Sequence, residues 1–453
     1  MAKIFVSFLG TGSPAKKPIG YDAAAYNWPG KSDLAVTVCF AQTAILKILE
    51  EKAAVDGPVN KAIFLCTKES KEKHLHALQE ELRDHLVASV DCVVPEPLVP
   101  TDMSPEHQWG WFEQLLGLVG QGDTLIIDFT HGPRSVQIVL SSGIGFLQRA
   151  KGITLAHALY GWYAPDIDQP NKVHPIIDMR DFYVINDWAE AVSRLADDAD
   201  ARRLGDLAKT TEVETLQPLA NENLIKALEE MTDCIRNVDV NNIGRKVSAA
   251  LDRVEQARNQ VAGSAHVMLD LVWKKFSALA TGYPPSGRYD LAYFRSQLEI
   301  INVLLEHRLF MQAFTAMREM VGSIGMAGLI EERVKTKYIK DLTSSKGRDL
   351  RKRFAQVFIR MAEIPKDEWK FPDPLNAKDK ETLLPWYSVL EQAGIMNDIL
   401  KESLVDMAKI RNGFDHAWTS QAEAQTDVEV KGHDYLDLLE STITQLAEHR
   451  LIS

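Results

Sequence analysis

Six residues near the C-terminal end, Arg411-Asn412-Gly413-Phe414-Asp415-His416, put a permanent cation, an amide and a proton-transfer group little more than a helical turn apart. Imidazole titrates near neutrality and suits proton transfer. Guanidinium stays charged and offers a planar fork that holds two phosphate oxygens. Breaking RNA through its own 2′-hydroxyl needs a base for the 2′ proton, an acid for the 5′-oxygen and a cation for the phosphorane. It needs no metal. In that chemistry His416 reads as acid or base, Arg411 as phosphate clamp, and Asn412 as a donor orienting the phosphate or the imidazole. The bland alternative is the charged end of a surface helix.

The spacing restricts the geometry. Five residues of α-helix advance about 7.5 Å and rotate about 140°. Arg411 and His416 of one regular helix therefore do not converge on one phosphate. Either Gly413 loosens or ends the helix, or two copies of the chain meet across a two-fold axis. The second solution is favoured. Asp415 either tunes His416 or faces solvent.

Two more segments carry donors. Gly10-Thr11-Gly12-Ser13, continuing to Lys16, Lys17 and Tyr21, follows an apolar strand-like run. Glycines let a backbone approach a ligand closely, and exposed N–H groups bind phosphate oxygens. It is not a dinucleotide fingerprint, because Pro14 and Ala15 follow and no helix starts at once. Asp128-Phe129-Thr130-His131-Gly132-Pro133-Arg134-Ser135 follows a second apolar run. Thr130, His131 and Arg134 offer donors there, and the next helix adds a partial positive charge. Ordinary strand-to-helix turns with a Thr130 or Ser135 cap are the competing reading.

The elements that must hold these residues fall into two kinds. Lys3–Leu9, Val59–Cys66, Val90–Val94, Thr124–Phe129 and Ile153–Tyr160 read as short apolar strands. Leu34–Ala54, Ser70–Leu86, Pro105–Val119 and Arg134–Ala150 read as helices. This alternation implies α/β architecture, a doubly wound, mainly parallel Rossmann-like sheet. Runs such as Leu125-Ile126-Ile127 suit burial on both faces. From about Asp187 helical periodicity takes over, with candidates at 187–209, 219–236, 241–281, 291–325, 348–362 and 382–411. Gly282-Tyr283-Pro284-Pro285-Ser286-Gly287 interrupts it, and Phe371-Pro372-Asp373-Pro374 marks a loop. The expected organisation is residues 1–186, a helical linker at 187–290, and a helical domain at 291–453.

Bulk properties narrow the function. At 453 residues, with 45% hydrophobic and 25% charged residues, the chain has the composition of a globular protein of two or three domains. No run approaches the roughly 20 apolar residues of a membrane span, and the N-terminus lacks a signal-peptide layout. The four dispersed cysteines form no zinc spacing, which fits a reduced cytoplasmic setting. A net charge of −12 argues against coating nucleic acid by bulk electrostatics. RNA would have to be met in a local groove. Lys335, Lys337, Lys340, Lys346, Arg348, Arg351, Lys352 and Arg353 form a basic run that either guides RNA or is a solvated helix face. Trp369, Trp386 and Trp418 are helix-core residues by default, and Arg318-Glu319 reads as a structural ion pair. His74 and His76, two apart on a helix, do not make a metal pair.

Phe8-Leu9-Gly10-Thr11-Gly12, Asp128-Phe129-Thr130-His131-Gly132-Pro133-Arg134-Ser135, Leu159-Tyr160-Gly161, Pro175-Ile176-Ile177-Asp178-Met179 and Asp187-Trp188-Ala189-Glu190-Ala191 together resemble proteins with a CRISPR-associated Rossmann fold (CARF) domain. The Arg411–His416 segment resembles the R-x(4–6)-H motif of HEPN ribonucleases. The combination is similar to the CARF–HEPN ancillary ribonucleases of type III CRISPR systems. The resemblance covers most of the chain, through several segments in the first half and one motif in the second. It implies a homodimer or higher homo-oligomer that binds cyclic oligoadenylate, cyclic tetraadenylate being favoured over cyclic hexaadenylate. It further implies metal-independent cleavage of single-stranded RNA in antiviral defence, leaving a cyclic phosphate. By the same resemblance Gly10, Thr11, Gly12, Ser13, Thr130, His131, Gly132 and Arg134 would line the ligand pocket. Arg411, Asn412 and His416 would be catalytic. The competing readings are a pocket that cleaves its own cyclic ligand, and a nucleotide-sensing regulator or scaffold without nuclease activity.

Overall fold

The computed structural model describes every residue except 13–19, 29–34, 53–56, 86–89, 103, 165–171, 238, 240–241, 281–288, 331–346 and 417–426. Ser13, Lys16, Lys17, Trp418 and the Lys335–Lys346 part of the basic run lie outside the described residues. The chain forms two compact units, Met1–Val184 and Ile185–Ser453.

The first unit is built on eight strands: β1 (Lys3–Leu9), β2 (Ala24–Asn27), β3 (Val36–Val38), β4 (Lys61–Cys66), β5 (Asp91–Val93), β6 (Thr124–Asp128), β7 (Thr154–Gly161) and β8 (Val173–Asp178). Their order in the sheet is β3-β2-β8-β7-β6-β1-β4-β5. The segment β7-β6-β1-β4-β5 is parallel throughout, while β8 runs antiparallel to β7 and β3 antiparallel to β2. Strand order therefore reverses at β1, between β6 and β4. This is the switch point at which open α/β sheets place ligands.

Alternation along β1 builds two cores. Phe5 and Leu9 pack on one side with α1 (Ala41–Glu51) and with Leu78 and Leu82 of α2 (His76–His85). Ile4, Val6 and Phe8 pack on the other with α3 (Pro105–Leu118) and α4 (Arg134–Lys151). Helices on both faces leave the central strands dry, as their continuous apolar runs predict.

Two local differences from the sequence expectation matter. The helix expected over Leu34–Ala54 starts only at Ala41. Val36-Thr37-Val38 is stiff and β-branched, and it pairs with Ala24–Tyr26 instead. The Glu81 carboxylate then accepts the backbone N–H groups of Cys39 (2.7 Å) and Phe40 (3.1 Å), which satisfies donors at the start of α1. The helix expected over Ser70–Leu86 enters through a wide π turn at Lys71–Leu75.

The second unit is helical. α5 (Arg180–Asp198) leads into it, followed by α6 (Arg202–Ala208), α7 (Glu222–Arg236), α8 (Ile243–Arg258), α9 (Gly263–Phe276), α10 (Leu291–Glu306), α11 (Phe310–Ile330), α12 (Arg348–Glu363), α13 (Pro374–Gln392), α14 (Asp398–Asp415) and α15 (Val428–Glu448). The candidates at 187–209 and 291–325 are each broken, at Ala199 and Arg308, which adopt left-handed φ values of 48° and 55°. Trp386 is fully buried and donates to the Ile324 carbonyl (2.9 Å), and Trp369 donates to that of Ile364 (2.8 Å). Both tryptophans are packing residues. Arg318 does not pair with Glu319. It holds Glu363 on α12 through two hydrogen bonds of 2.7 and 3.2 Å, because adjacent residues on a helix point apart.

Candidate functional site

At the switch point lies a cavity of about 550 Å³. Its wall combines the end of β1 and the following turn (Phe8, Leu9, Gly10, Thr11, Gly12), the turn after β6 (His131, Gly132, Pro133), and groups from distant parts of the chain. Of the residues singled out in the sequence, Gly10, Thr11, Gly12, His131 and Gly132 come together here. Thr130 and Arg134 are not among the lining residues. Tyr21, Asp22, Tyr26, Cys39, Thr67 and Tyr163 are, and only Tyr21 had been marked in the sequence.

Thr130 is used structurally. Its hydroxyl donates to Asp128 and accepts the Gly161 N–H (2.8 Å), and its backbone N–H also donates to Asp128 (2.9 Å). Asp128 is 2% exposed and receives the Ser7 hydroxyl as well, at 2.7 Å. This knot ties the C-terminal ends of β1, β6 and β7 together. Burial pushes the Asp128 carboxyl above its ordinary range, against the pull of the hydroxyl donors and of His131. A buried Asp ending an apolar strand is the one signal of the knot in the sequence. Arg134 opens α4 and is exposed.

The turn after β6 is held from α4, where Gln137 donates to the carbonyls of Phe129 (2.8 Å) and His131 (3.2 Å). Gly132 sits at φ 114°, and a Cβ there would lie 2.8 Å from Cγ of Phe8. The turn after β1 is held from the π turn. His74, 5% exposed, contacts the Thr11 carbonyl at 2.8 Å through Nε2, which must therefore carry the proton. His74 is thus a positioning residue, which its place on a presumed regular helix did not indicate. Thr67 and Ser70 form a reciprocal cap where that segment begins.

Two of the lining groups, His131 and Tyr21, are set to meet a ligand. Burial lowers the pKa of His131, with Asp128 opposing, so near neutrality its ring is uncharged and offers one donor and one acceptor. Among the described residues the buried Tyr21 hydroxyl has no hydrogen-bond partner at bonding geometry, and the Gly12 N–H bears on it more weakly. Burial pushes its pKa up to about 12. Tyr21 packs edge-on to His131 and His74, with ring centroids 5.4 and 5.2 Å away. A buried hydroxyl with no partner is costly unless a ligand or water completes it. Among the described lining residues none is Lys or Arg. The wall therefore suits an aromatic base and ribose, and phosphate oxygens would rely on backbone N–H groups of the two turns.

The second candidate is the end of α14. Leu400, Leu404, Met407, Ile410 and Gly413 form its buried stripe, and the helix packs against α11 and α12. Gly413 neither loosens nor ends it, contrary to one sequence expectation. The helix runs to Asp415, and His416 closes it with its N–H on the Asn412 carbonyl (3.0 Å). Gly413 is tolerated because it lies on the packed stripe. Asn412 and His416 are exposed and Arg411 is partly so. Arg411 pairs with Asp415 at 3.0 Å and donates to the Asn412 side chain at 3.3 Å. Asp415 thus binds Arg411. The three residues share one helix end, but the uninterrupted helix keeps Arg411 and His416 on different sides of it.

Among the described residues no cluster of His, Cys, Asp and Glu could hold a metal ion, and no helix is long and apolar enough to cross a membrane. No family model and no curated protein matches the chain. Among solved structures it is similar to Enterococcus italicus Csm6 bound to cyclic hexa-2'-fluoro-hexa-dAMP, at 11% identity, covering 99% of this chain and 95% of that one, with a TM-score of 0.43.

Proposed function

We propose that the chain is a metal-independent endoribonuclease for single-stranded RNA, activated by a cyclic oligoadenylate bound at the sheet switch point. The observation that carries this reading is the cavity. Two turns far apart in sequence meet there around a neutral imidazole and an unpartnered buried hydroxyl, in a wall fit for adenosine. Gly10, Thr11, Gly12, His131 and Gly132 hold the ligand. Ser13 joins them by the sequence resemblance, and Arg134, at the start of α4, reaches the part of the ring outside the cavity. Cyclic tetraadenylate is the favoured activator.

At the end of α14, His416 moves the proton, Arg411 exchanges Asp415 for the scissile phosphate, and Asn412 orients them. Attack by the 2′-hydroxyl leaves a cyclic phosphate. Because Arg411 and His416 of one helix diverge, the active assembly is a homodimer in which two copies surround one phosphate. α4 supports association in the first unit: Ile138 and Phe146 are 67% and 50% exposed on one face, at the i, i+8 spacing. Residues 187–290 connect sensor to nuclease at 291–453. The ligand can raise activity only by binding the active arrangement more tightly than the resting one.

The test is cleavage of single-stranded RNA with and without a panel of cyclic oligoadenylates, in chelator, for the parent and His416→Ala. Cleavage that depends on the ligand and on His416 is expected. Equal cleavage by His416→Ala refutes the site. Ligand binding without any cleavage would instead favour the regulator, and linearisation of the ligand would show that the cavity cleaves it.

A further inference from the structure

The second unit holds a cavity of about 690 Å³ that includes none of residues 411–416. Its size is within the roughly 300–1,000 Å³ of small-molecule sites. Three cations from the first turns of α12 line it: Arg348, Arg351 and Lys352. They are spaced i, i+3, i+4, so one helix face carries them all. Like charges at that spacing repel, and neither Arg348 nor Lys352 has an ion-pair partner among the described residues. An anion in the cavity would relieve this repulsion.

The remaining wall is not that of a simple anion site. Tyr289 lies just before α10 and lines the cavity, its ring 5.0 Å from and edge-on to that of Tyr293. Gln297 of α10 lines the cavity and is only 7% exposed. It can read the edge of a base by donating and accepting together. Glu319 of α11, exposed on the same wall, offers an acceptor for a hydroxyl. A carboxylate beside three cations would repel a bare phosphate. It fits a ligand in which phosphate and ribose are separate parts.

We infer that this cavity binds one nucleotide, with the base against Tyr289 and Gln297, a ribose hydroxyl on Glu319 and the phosphate on Arg348, Arg351 and Lys352. The nucleotide is either free or one residue of single-stranded RNA. The second source rests on the nuclease reading and would give an acidic protein the local basic groove its net charge demands.

The experiment uses the full chain carrying His416→Ala, so that bound RNA survives. The probes are adenosine monophosphate, a labelled single-stranded oligoribonucleotide and its DNA equivalent. Arg348→Glu with Lys352→Glu should weaken binding by about tenfold or more and flatten its salt dependence. Tyr289→Ala should cost about tenfold, the scale of one base stack. Glu319→Gln should narrow the preference for RNA over DNA. Both charge-reversed positions are exposed, and thermal melting confirms that the fold is kept. Loss of RNA binding alone assigns the site to RNA, and loss of mononucleotide binding alone assigns it to the free nucleotide. Parent affinity for both probes in the charge-reversed variant, or no binding by the parent, overturns the inference. RNA cleavage by the chain with His416 intact is read separately, so either reading can fail without the other.

Discussion

Replacing Gly132 by Ala tests whether the turn after β6 is a built part of the cavity. Two costs arise at this position. At φ 114° an L-residue is held in a sparsely populated region, worth about 1–3 kcal/mol. The new Cβ would also lie 2.8 Å from Cγ, 3.0 Å from Cβ and 3.1 Å from Cδ1 of Phe8. Those atoms are the root of a ring on the central strand, 3% exposed among core side chains, and they cannot retreat as a flexible tip would. Overpacking of this kind costs about 1–3 kcal/mol. Gly152→Ala is the control. Gly152 ends α4 at φ 60°, and a Cβ there meets nothing within 4 Å. It should lose only the left-handed penalty, about 1–2 kcal/mol. Equilibrium urea unfolding compares the two. Gly132→Ala should lose more than the control, and calorimetric affinity for cyclic oligoadenylate should fall with it, whereas Gly152→Ala should bind as the parent does. Equal losses of stability, or parent affinity in Gly132→Ala, would refute the assignment of this turn to the ligand wall.

Three further outcomes follow from the geometry. Asp415→Asn frees Arg411 from its 3.0 Å partner and should tighten binding of single-stranded RNA in the His416→Ala background, measured by fluorescence anisotropy; weaker binding would show that Asp415 holds Arg411 in its working position. His74→Phe keeps an aromatic ring against Tyr21 but removes the bond to the Thr11 carbonyl. About 1 kcal/mol of stability should be lost, with ligand affinity, while adding ligand should still raise the melting temperature of the parent. Acid should destabilise both units. Burial holds His131, His174 and His307 below the ordinary histidine pKa, so the unfolded chain takes up protons first. Their contribution is complete above about pH 6.5 and is lost as pH falls below it. Denaturation midpoints between about pH 7.5 and 5.5 should therefore drop, and His307→Phe should flatten the slope in the helical unit.

The strands most visible in the sequence are those whose burial is two-sided. Lys3–Leu9 and Thr124–Asp128 are apolar throughout because helices cover both faces, so composition alone marks them. β2 and β3, four and three residues long, are too short for a period, and β3 was absorbed into the following helix. Helix breaks at Ala199 and Arg308 were illegible because neither residue type favours the left-handed region. The cavity divides in the same way. Gly10, Gly12, His131 and Gly132 were legible because each sits at the end of a visible strand. Tyr21 was marked with the turn after β1, whereas Asp22, Tyr26, Cys39, Thr67 and Tyr163 reach the cavity through strand order, which no local pattern records.

The motif at the end of α14 suggests a chemistry and leaves its geometry open. Its residue types suggest a proton carrier and a phosphate clamp. Whether they could act together depended on Gly413, which looked like a hinge in the sequence. In the fold it continues the stripe Leu404, Met407, Ile410, and close packing against neighbouring helices gives it a reason to stay helical. With the helix intact, residues four apart are offset by about 40° and neighbours by about 100°. Asp415 is therefore placed to take Arg411, as the 3.0 Å ion pair records. The same arithmetic counts against a single-chain route to one phosphate. On the proposed nuclease reading, Arg411 and His416 would come from two copies, and Asp415 would give up Arg411 when the phosphate arrives.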